Sequence, residues 1–448
     1  MKKIILSTLV LGAMLNLASC TKEKGCTDPS ATNYDSDAEE SDNSCQYAKD
    51  DTPASEVVIT ASAAGTGTVT WSKDKTYILD GIVFVNSGQT LTIEAGTVIK
   101  GSAGEAANAS ALVVARGAKI MAEGTASMPI IFTSEADATT RDGDGNLVQS
   151  NALNETQAGL WGGLIILGNA GLNSEPGETA IEGIETTEAR GLYGGNDDDD
   201  NSGVIKYVSI RHGGTNIGAN NEINGLSLGG VGRGTTIDFV EIYANADDGI
   251  EFFGGTVEAK HLLVSSVGDD SFDYDEGFRG KGQYWVSLNP GDRHGEHDGG
   301  TDPETAQPYA TPTIYNATYI GNESKLTFRD NAGGTYSNSI LLVAKIDVEN
   351  LPSGEDSKSR LDDGDLMIKG NVIDAVTVIV DSENASLVAH ANVDDNSVVA
   401  TGVTTTNPVP ASATTATGLS GDTFIEDVSY KGAFSGTNWA AGWTRTFE

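Results

Sequence analysis

From about Ser55 onward, short apolar runs alternate with glycine, asparagine and aspartate. TYILDGIVFV, QTLTIEAGTVIKG, SALVVARGAKIMAEG, MPIIFTS, WGGLIILGNAG, GVIKYVSIRHGG and TTIDFVEIYAN are typical. Each holds four to eight residues rich in Val, Ile, Thr and aromatics, the signature of a short strand bounded by turns. Apolar residues at the helical spacing of 3.6 are almost lacking. Turn residues recur too often for alternating strands and helices. The pattern predicts an all-β chain.

A repeat then selects the architecture. VEIYANADDGIEFFGG, from Val240, aligns with LLVSSVGDDSFDYDEG, from Leu262, twenty-two residues on. Ile242 meets Val264, Asp247 meets Asp269, Asp248 meets Asp270, Ile250 meets Phe272, Glu251 meets Asp273, Phe252 meets Tyr274 and Gly255 meets Gly277. EINGLSLGG, from Glu222, fits the same template one repeat earlier. A period of 20–25 residues built from short strands implies a solenoid. With Gly, Asn and Asp at the corners and no helices, a right-handed parallel β-helix is expected over 55–448. Two polar stretches, 346–366 and 398–418, are read as departures from the stack. Trp439 and Trp443 are read as part of a C-terminal cap over the last rung, since a solenoid must cover its open end.

YGGNDDDDNSGVIKYVSIRHGG, NEINGLSLGGVGRGTTIDFVEI, TFRDNAGG and GAFSGTNWAAGWTR, with the repeat itself, resemble a family of large secreted or lipidated proteins of the Bacteroidetes. Some members carry a "multidrug transporter" label. The resemblance spans about Tyr77 to Trp443. It implies a β-helical fold and an extracellular location, and no particular chemistry.

The N-terminus carries a different signal. Lys2 and Lys3 precede an apolar run, Ile4 to Leu15, too short to span a bilayer. Leu17-Ala18-Ser19-Cys20 resembles a bacterial lipobox, which implies a signal peptide over 1–19 and a lipidated Cys20. Attachment to a membrane would then be through lipid alone, at the outer-membrane cell surface. The remaining two cysteines, Cys26 and Cys45, are expected to pair within an acidic linker, 20–54, as export favours disulfides. Closing such a loop stabilises by about 3 kcal/mol. GCTDPSATNYDSDAEESDNSC resembles a short module near the N-termini of Bacteroidetes surface proteins. Its Asp35, Asp37, Glu39 and Asp42 offer oxygens for Ca²⁺ without the spacing of an EF-hand.

Composition adds one constraint. Acids outnumber bases 64 to 27, a formal net charge of −37, which argues against a basic surface for nucleic acid. No phosphate-binding Gly-Lys-Ser/Thr loop and no Gly-x-Ser-x-Gly elbow occurs, which argues against nucleotide and serine-hydrolase chemistry.

Candidate chemistry follows from the stack. Successive coils lie about 4.8 Å apart, so Asp247 would stack on Asp269, Asp248 on Asp270, and Glu251 on Asp273 pointing outward. Glu222 and Asn224 would fall near the same column one coil earlier. Two unit charges at that distance repel by about 0.9 kcal/mol in water and about 3.5 at an effective dielectric of 20. A divalent cation, a shared proton or a nearby base must offset this. Asp247, Asp248, Asp269, Asp270 and Asp273 are therefore candidate Ca²⁺ ligands, and Arg211, Lys260, Arg279 and Lys281 candidate compensating bases. NDDDDN (196–201) is a second acidic run that could hold Ca²⁺. His294, Glu296, His297 and Asp298 form the densest potential transition-metal group, without a zinc-type spacing; His212 and His261 are scattered.

The order NADDG, GDDSF, RHG, FRD is similar to that of acidic, acidic-pair, His-Gly and basic motifs in polygalacturonases. The resemblance would make Asp248, Asp269, Asp270 and His294 catalytic and Arg329 a substrate contact. NADDG lacks the usual Asn-Thr-Asp, and FRD lacks Arg-x-Lys. Pectate-lyase-type β-helices likewise set carboxylates beside a basic proton acceptor. The reading adopted is a surface lipoprotein acting as a non-catalytic, cation-stabilised scaffold for a glycan or another extracellular partner. The alternatives are a polysaccharide hydrolase or lyase, and an accessory lipoprotein of an outer-membrane uptake system.

Overall fold

The computed structural model describes residues 22–29, 31–46, 54–105, 108–149, 152–218, 221–300, 303–411, 414–416 and 421–448. They divide into two units, one ending at Thr52 and the other beginning at Pro53. In the first, Cys26 and Cys45 are joined by a disulfide, with Cα atoms 4.7 Å apart. Cys20 and residues 1–19, expected to be a signal peptide, lie outside the described residues. The Asp35 and Asp42 carboxylates accept the amides of Asp37 and Ser44, as turn aspartates do. Among the described residues, the four linker acids do not converge on a cation site.

The second unit is a parallel β-helix, as the repeat predicts. Its strands form three ladders. Ladder one stacks Ile82–Val85, Ala111–Val114, Leu164–Leu167, Leu226–Gly229, Ile250–Phe253, Phe272–Asp275 and Arg293–Asp298, then the second halves of Thr318–Arg329 and Ile340–Val348, and ends on Val378–Asp381. Ladder two begins at Val69–Trp71 and ends at Leu366–Lys369. Ladder three begins at Ser55–Thr60 and ends at Ser397–Val398. The offset of twenty-two is the true register: Val240 pairs with Leu262 and Ile250 with Phe272.

Alternation sends Ile250, Phe252, Phe272 and Tyr274 into one continuous core. Phe252 stacks on Phe278 and Trp285, at 4.6 and 5.2 Å between ring centroids. Several strands bend from ladder two into ladder three at one left-handed residue. Tyr207, Phe239, His261, Tyr284, Asn316 and Asn338 occupy this bend with φ of 49–63°. The conformation disfavours non-glycine residues. Stacking outside the corner offsets it: centroids are 4.4 Å apart for Tyr207–Phe239, 4.1 Å for Phe239–His261 and 4.8 Å for His261–Tyr284.

The departures differ from expectation in extent. Ile346 and Val348 are buried in the strand Ile340–Val348, so the predicted excursion narrows to 349–365 and carries a short helix, Ser357–Asp363. Two larger excursions, 135–163 and 168–202, fall outside the predicted set. The second buries Ile181, Ile184 and Tyr193 against Phe253 and other outward residues of ladder one.

The C-terminal cap is corrected. Trp439 and Trp443 do not cover the last rung. They pack edge-on against the aromatic corner, Trp439 on Phe239 and His261, Trp443 on Tyr207 and Phe239. The reason is the apolar outer face of ladder three, which includes Leu263, Val286, Leu288 and Leu342 and needs covering more than the end does.

Phe252→Ala is expected to cost about 3–5 kcal/mol, and Val388→Ala, 62% exposed, within about 0.5. Urea denaturation of the two variants checks this.

Candidate functional site

The acid pairs sit on the corner that leads from ladder three into ladder one. Coils approach closely there. A Cβ on Gly268 would lie 2.0 Å from the carbonyl oxygen of Ala246, and one on Gly291 would lie 1.9 Å from that of Gly268. Glycine at these two positions lets the next residues of each coil bond across the gap. The Asp248 carboxylate accepts the amide of Asp270 at 2.8 Å, and the Asp270 carboxylate accepts the amide of Arg293 at 2.6 Å. Asn245 fixes the same turn by donating to the Asp248 carbonyl at 2.7 Å.

Asp248 and Asp270 are buried, whereas Asp269 and Asp292 are exposed and Asp247 is intermediate. Carboxylate oxygens of Asp247, Asp248 and Asp269 lie within 4.8 Å of one another, as do those of Asp269, Asp270 and Asp292. These two groups, sharing Asp269, are the residues that could hold a cation. Asp273 belongs to neither. It lies in an outward row, Glu251, Asp273 and Glu296, one residue per coil.

That row is covered rather than solvated. Asn224, one coil earlier, donates to Glu251, and Glu182 of the 168–202 excursion faces it. The side chain of Glu222 lies outside the described residues. One oxygen of Asp273, Oδ1, is buried without a hydrogen bond.

Electrostatics follow from burial and stacking. Burial, then Asp270 and Asp247, push Asp248 well above the usual carboxylate range. Burial, then Asp248, does the same to Glu251; burial, then Glu251 and Asp248, to Asp273. Asp270 is pushed up to about 7 by burial, against the pull of Arg293. Such a group could donate or accept a proton near neutrality.

The compensating bases differ from those expected. Arg293 Nη1 reaches Asp270 at 3.2 Å, Asp292 at 3.1 Å and Glu296 at 2.9 Å. Arg329 holds Asp298 through Nε at 2.5 Å and Glu296 through Nη1 at 2.7 Å. Arg211, Lys260, Arg279 and Lys281 serve other partners, respectively Gln149 and Ser209, Glu426, Asp198, and Glu258 with Asp422. Within 196–201, Asp198 and Asp199 pair with Arg233, and Asp198 also with Arg279. That run is therefore tied to cations of the chain itself.

The histidine group is broken up, His297 by strand alternation and His294 by a register irregularity between Arg293 and Gly295. Glu296 and Asp298 point outward, whereas His294 and His297 are fully buried in the interior. His294 bonds Ser287 Oγ at 2.7 Å and the Gly321 carbonyl at 3.1 Å. His297 bonds Tyr336 Oη at 2.7 Å and stacks on Tyr274. Burial holds them down to about 4 and about 3. Neither joins the acids, so the proposed part of His294 in catalysis is not supported by its placement. His212 and His261 sit at corners, bonded to the Gln157 carbonyl and to Asp238.

Asp292 and Arg293 escaped the sequence reading, and Glu296 entered it only as a candidate transition-metal ligand. GDRHGEHD is a further turn of the repeat, twenty-three residues after the second: Asp292 falls at the place of Asp269, Arg293 at that of Asp270, Glu296 at that of Asp273. A cavity of about 570 Å³ opens at the end of the outward face, lined by Asp275, Asp298, Glu304, Asp330, Gly300, Pro303 and Thr305.

Residues 63–444 match the family described as "Pectate-lyase like beta helix domain". The chain belongs to this pectate-lyase-like β-helix family. No curated protein and no solved structure matches it. Membership establishes the β-helix and leaves the chemistry of this chain to its own side chains.

A pH dependence follows. Asp270 is raised in the folded state, so its stabilising effect is complete below its unfolded value of about 3.9 and is lost as pH rises through about 7. His294 and His297, lowered on folding, act in the opposite sense as pH falls below about 6.5. The difference between wild type and Asp270→Asn therefore isolates the aspartate. Urea midpoints from pH 4 to pH 8 should show wild type losing ground to Asp270→Asn steadily as pH rises.

Proposed function

We propose that the protein is a non-catalytic β-helical scaffold. It binds an extracellular glycan or a surface partner along the acidic face of ladder one, with Ca²⁺ at the Asp247–Asp292 rim. One observation carries this reading: Asp248 and Asp270 each give an oxygen to a backbone amide of the next coil. Carboxylates used in this way hold the stack together. Asp269 and Asp292 stay exposed, where hard oxygen ligands suit Ca²⁺. In the same proposal, residues 1–19 are a signal peptide, Cys20 carries the lipid, and the protein stands on the outer-membrane surface of a member of the Bacteroidetes.

A second reading is supported by Arg329. Its side chain is 40% exposed, with the guanidinium beside Glu296 and Asp298, and Asp298 lines the 570 Å³ cavity. A basic group above carboxylates is the arrangement a polyuronate lyase would use, and Asp270 near neutrality would suit a hydrolase.

Incubation with polygalacturonate separates the two. The scaffold predicts no unsaturated or reducing ends above background from either wild type or Asp270→Asn. Release by wild type that falls at least a hundredfold in Asp270→Asn or Arg329→Ala would replace it with the enzyme.

The cation is tested by melting. Millimolar Ca²⁺ should raise the melting temperature of EDTA-treated protein by several degrees, and Asp269→Asn, which touches both acid groups, should abolish the rise. Equal melting with and without Ca²⁺ would remove the cation from the proposal.

A further inference from the structure

Residues 421–448 start on Lys281 and Gln283 of ladder two, cross the corner and run over the outer face of ladder three. No described strand lies beyond Ser397–Val398, so this strap adds nothing to the register of any ladder. Its polar contacts are ion pairs, Lys260 with Glu426 and Lys281 with Asp422, a backbone bond from Gly432 to the Asn338 carbonyl, and pairs of a side chain with a backbone. Gln283 donates to the Glu426 carbonyl at 2.9 Å and accepts its amide at 2.8 Å. Thr318 Oγ1 accepts the amide of Ala433 at 2.8 Å. Beneath these contacts Phe434 and Ala440, with Trp439 and Phe447, cover outward apolar residues of ladder three.

The far end of the strap closes a ring. Arg211 donates to Gln149 and to Ser209, Gln149 donates to Glu448, and Arg445 pairs with Glu448. Glu241 completes it. Fully buried, it accepts the amides of Arg445 and Thr446 at 2.8 Å each, the Thr446 hydroxyl at 2.8 Å and the Ser209 hydroxyl at 2.6 Å. One coil carboxylate thus gathers three donors from the strap.

We propose that residues 421–448 are a separable clasp, latched by Glu241, that docks on a β-helix whose coils are complete without it. Its release opens the apolar face of ladder three. The latch is local: removing it frees the strap and leaves the three ladders intact, because every ladder hydrogen bond is made between coils.

Hydrogen exchange on the full chain tests this in Glu241→Gln and, independently, Trp443→Ala. Amides of 421–448 are expected to exchange at least tenfold faster in both variants, while the strands Ile250–Phe253 and Phe272–Asp275 keep wild-type rates. Limited proteolysis should then cut first within the strap. Equal acceleration in the strap and those strands would overturn the proposal, as would unchanged strap exchange in both variants. Failure of both variants to fold would also overturn it, since the coils would then depend on the clasp.

Discussion

In a parallel solenoid the nearest neighbour of a side chain, outside its own coil, is the residue at the same place one coil away. The distance, about 4.8 Å, is fixed by the backbone ladder. Whatever a repeat places at a position is therefore set against its own kind. For Ile250 on Phe272, or Phe252 on Tyr274, this builds a core. For Glu251 on Asp273 it brings like charges together inside a covered face. The remaining features of the corner and the outward row are answers to that constraint.

Three answers appear within five coils. Before the row, Asn224 supplies a neutral donor in place of another acid. After it, Arg293 and Arg329 add positive charge, and Arg293 falls where the repeat has Asp270. Between them, Asp248 and Asp270 turn part of their charge toward backbone amides, and burial raises both toward the protonated form. Ion pairs alone would serve less well, because burying a charge costs solvation that a single partner seldom restores. The chain distributes the offset over amides, guanidiniums and protons.

The sequence made the coil legible because apolar alternation and the repeat of twenty-two are both consequences of the stack. Asp247 over Asp269 and the inward set of Ile250, Phe252, Phe272 and Tyr274 could be read from spacing alone. What could not be read depended on contacts between distant segments. Val286 and Leu288 look like ordinary strand residues, and nothing local says that one of the ladder faces is apolar on its outside and takes the strap. Trp439 and Trp443 were legible as a cover but not as a cover for Phe239 and His261. The third turn of the repeat is obscured by composition: two histidines in GDRHGEHD suggest metal chemistry, although both lie on the opposite side of the strand from Glu296 and Asp298, His297 by alternation and His294 by a local slip in register. A register irregularity between Arg293 and Gly295 further blurs that turn.

The same geometry explains why acidic pairs in a β-helix are ambiguous evidence for catalysis. Coil spacing alone will set one carboxylate above another, so proximity carries little information. What separates a structural carboxylate from a reactive one is whether its oxygens are already in use. Asp269 and Asp292 are exposed at the rim, Asp292 with one oxygen 3.1 Å from the Arg293 guanidinium. Asp248 gives an oxygen to the amide of Asp270. Asp270 lies between these cases: one oxygen meets the amide of Arg293, the other its guanidinium, and burial brings it to about 7. A general acid needs a proton near neutrality and a path for delivering it. Asp270 has the first, but at 2% exposure with both oxygens engaged it lacks the second. A ligand that drew Arg293 away would supply that path, which makes the Arg293–Asp270 contact the point at which scaffold and enzyme diverge.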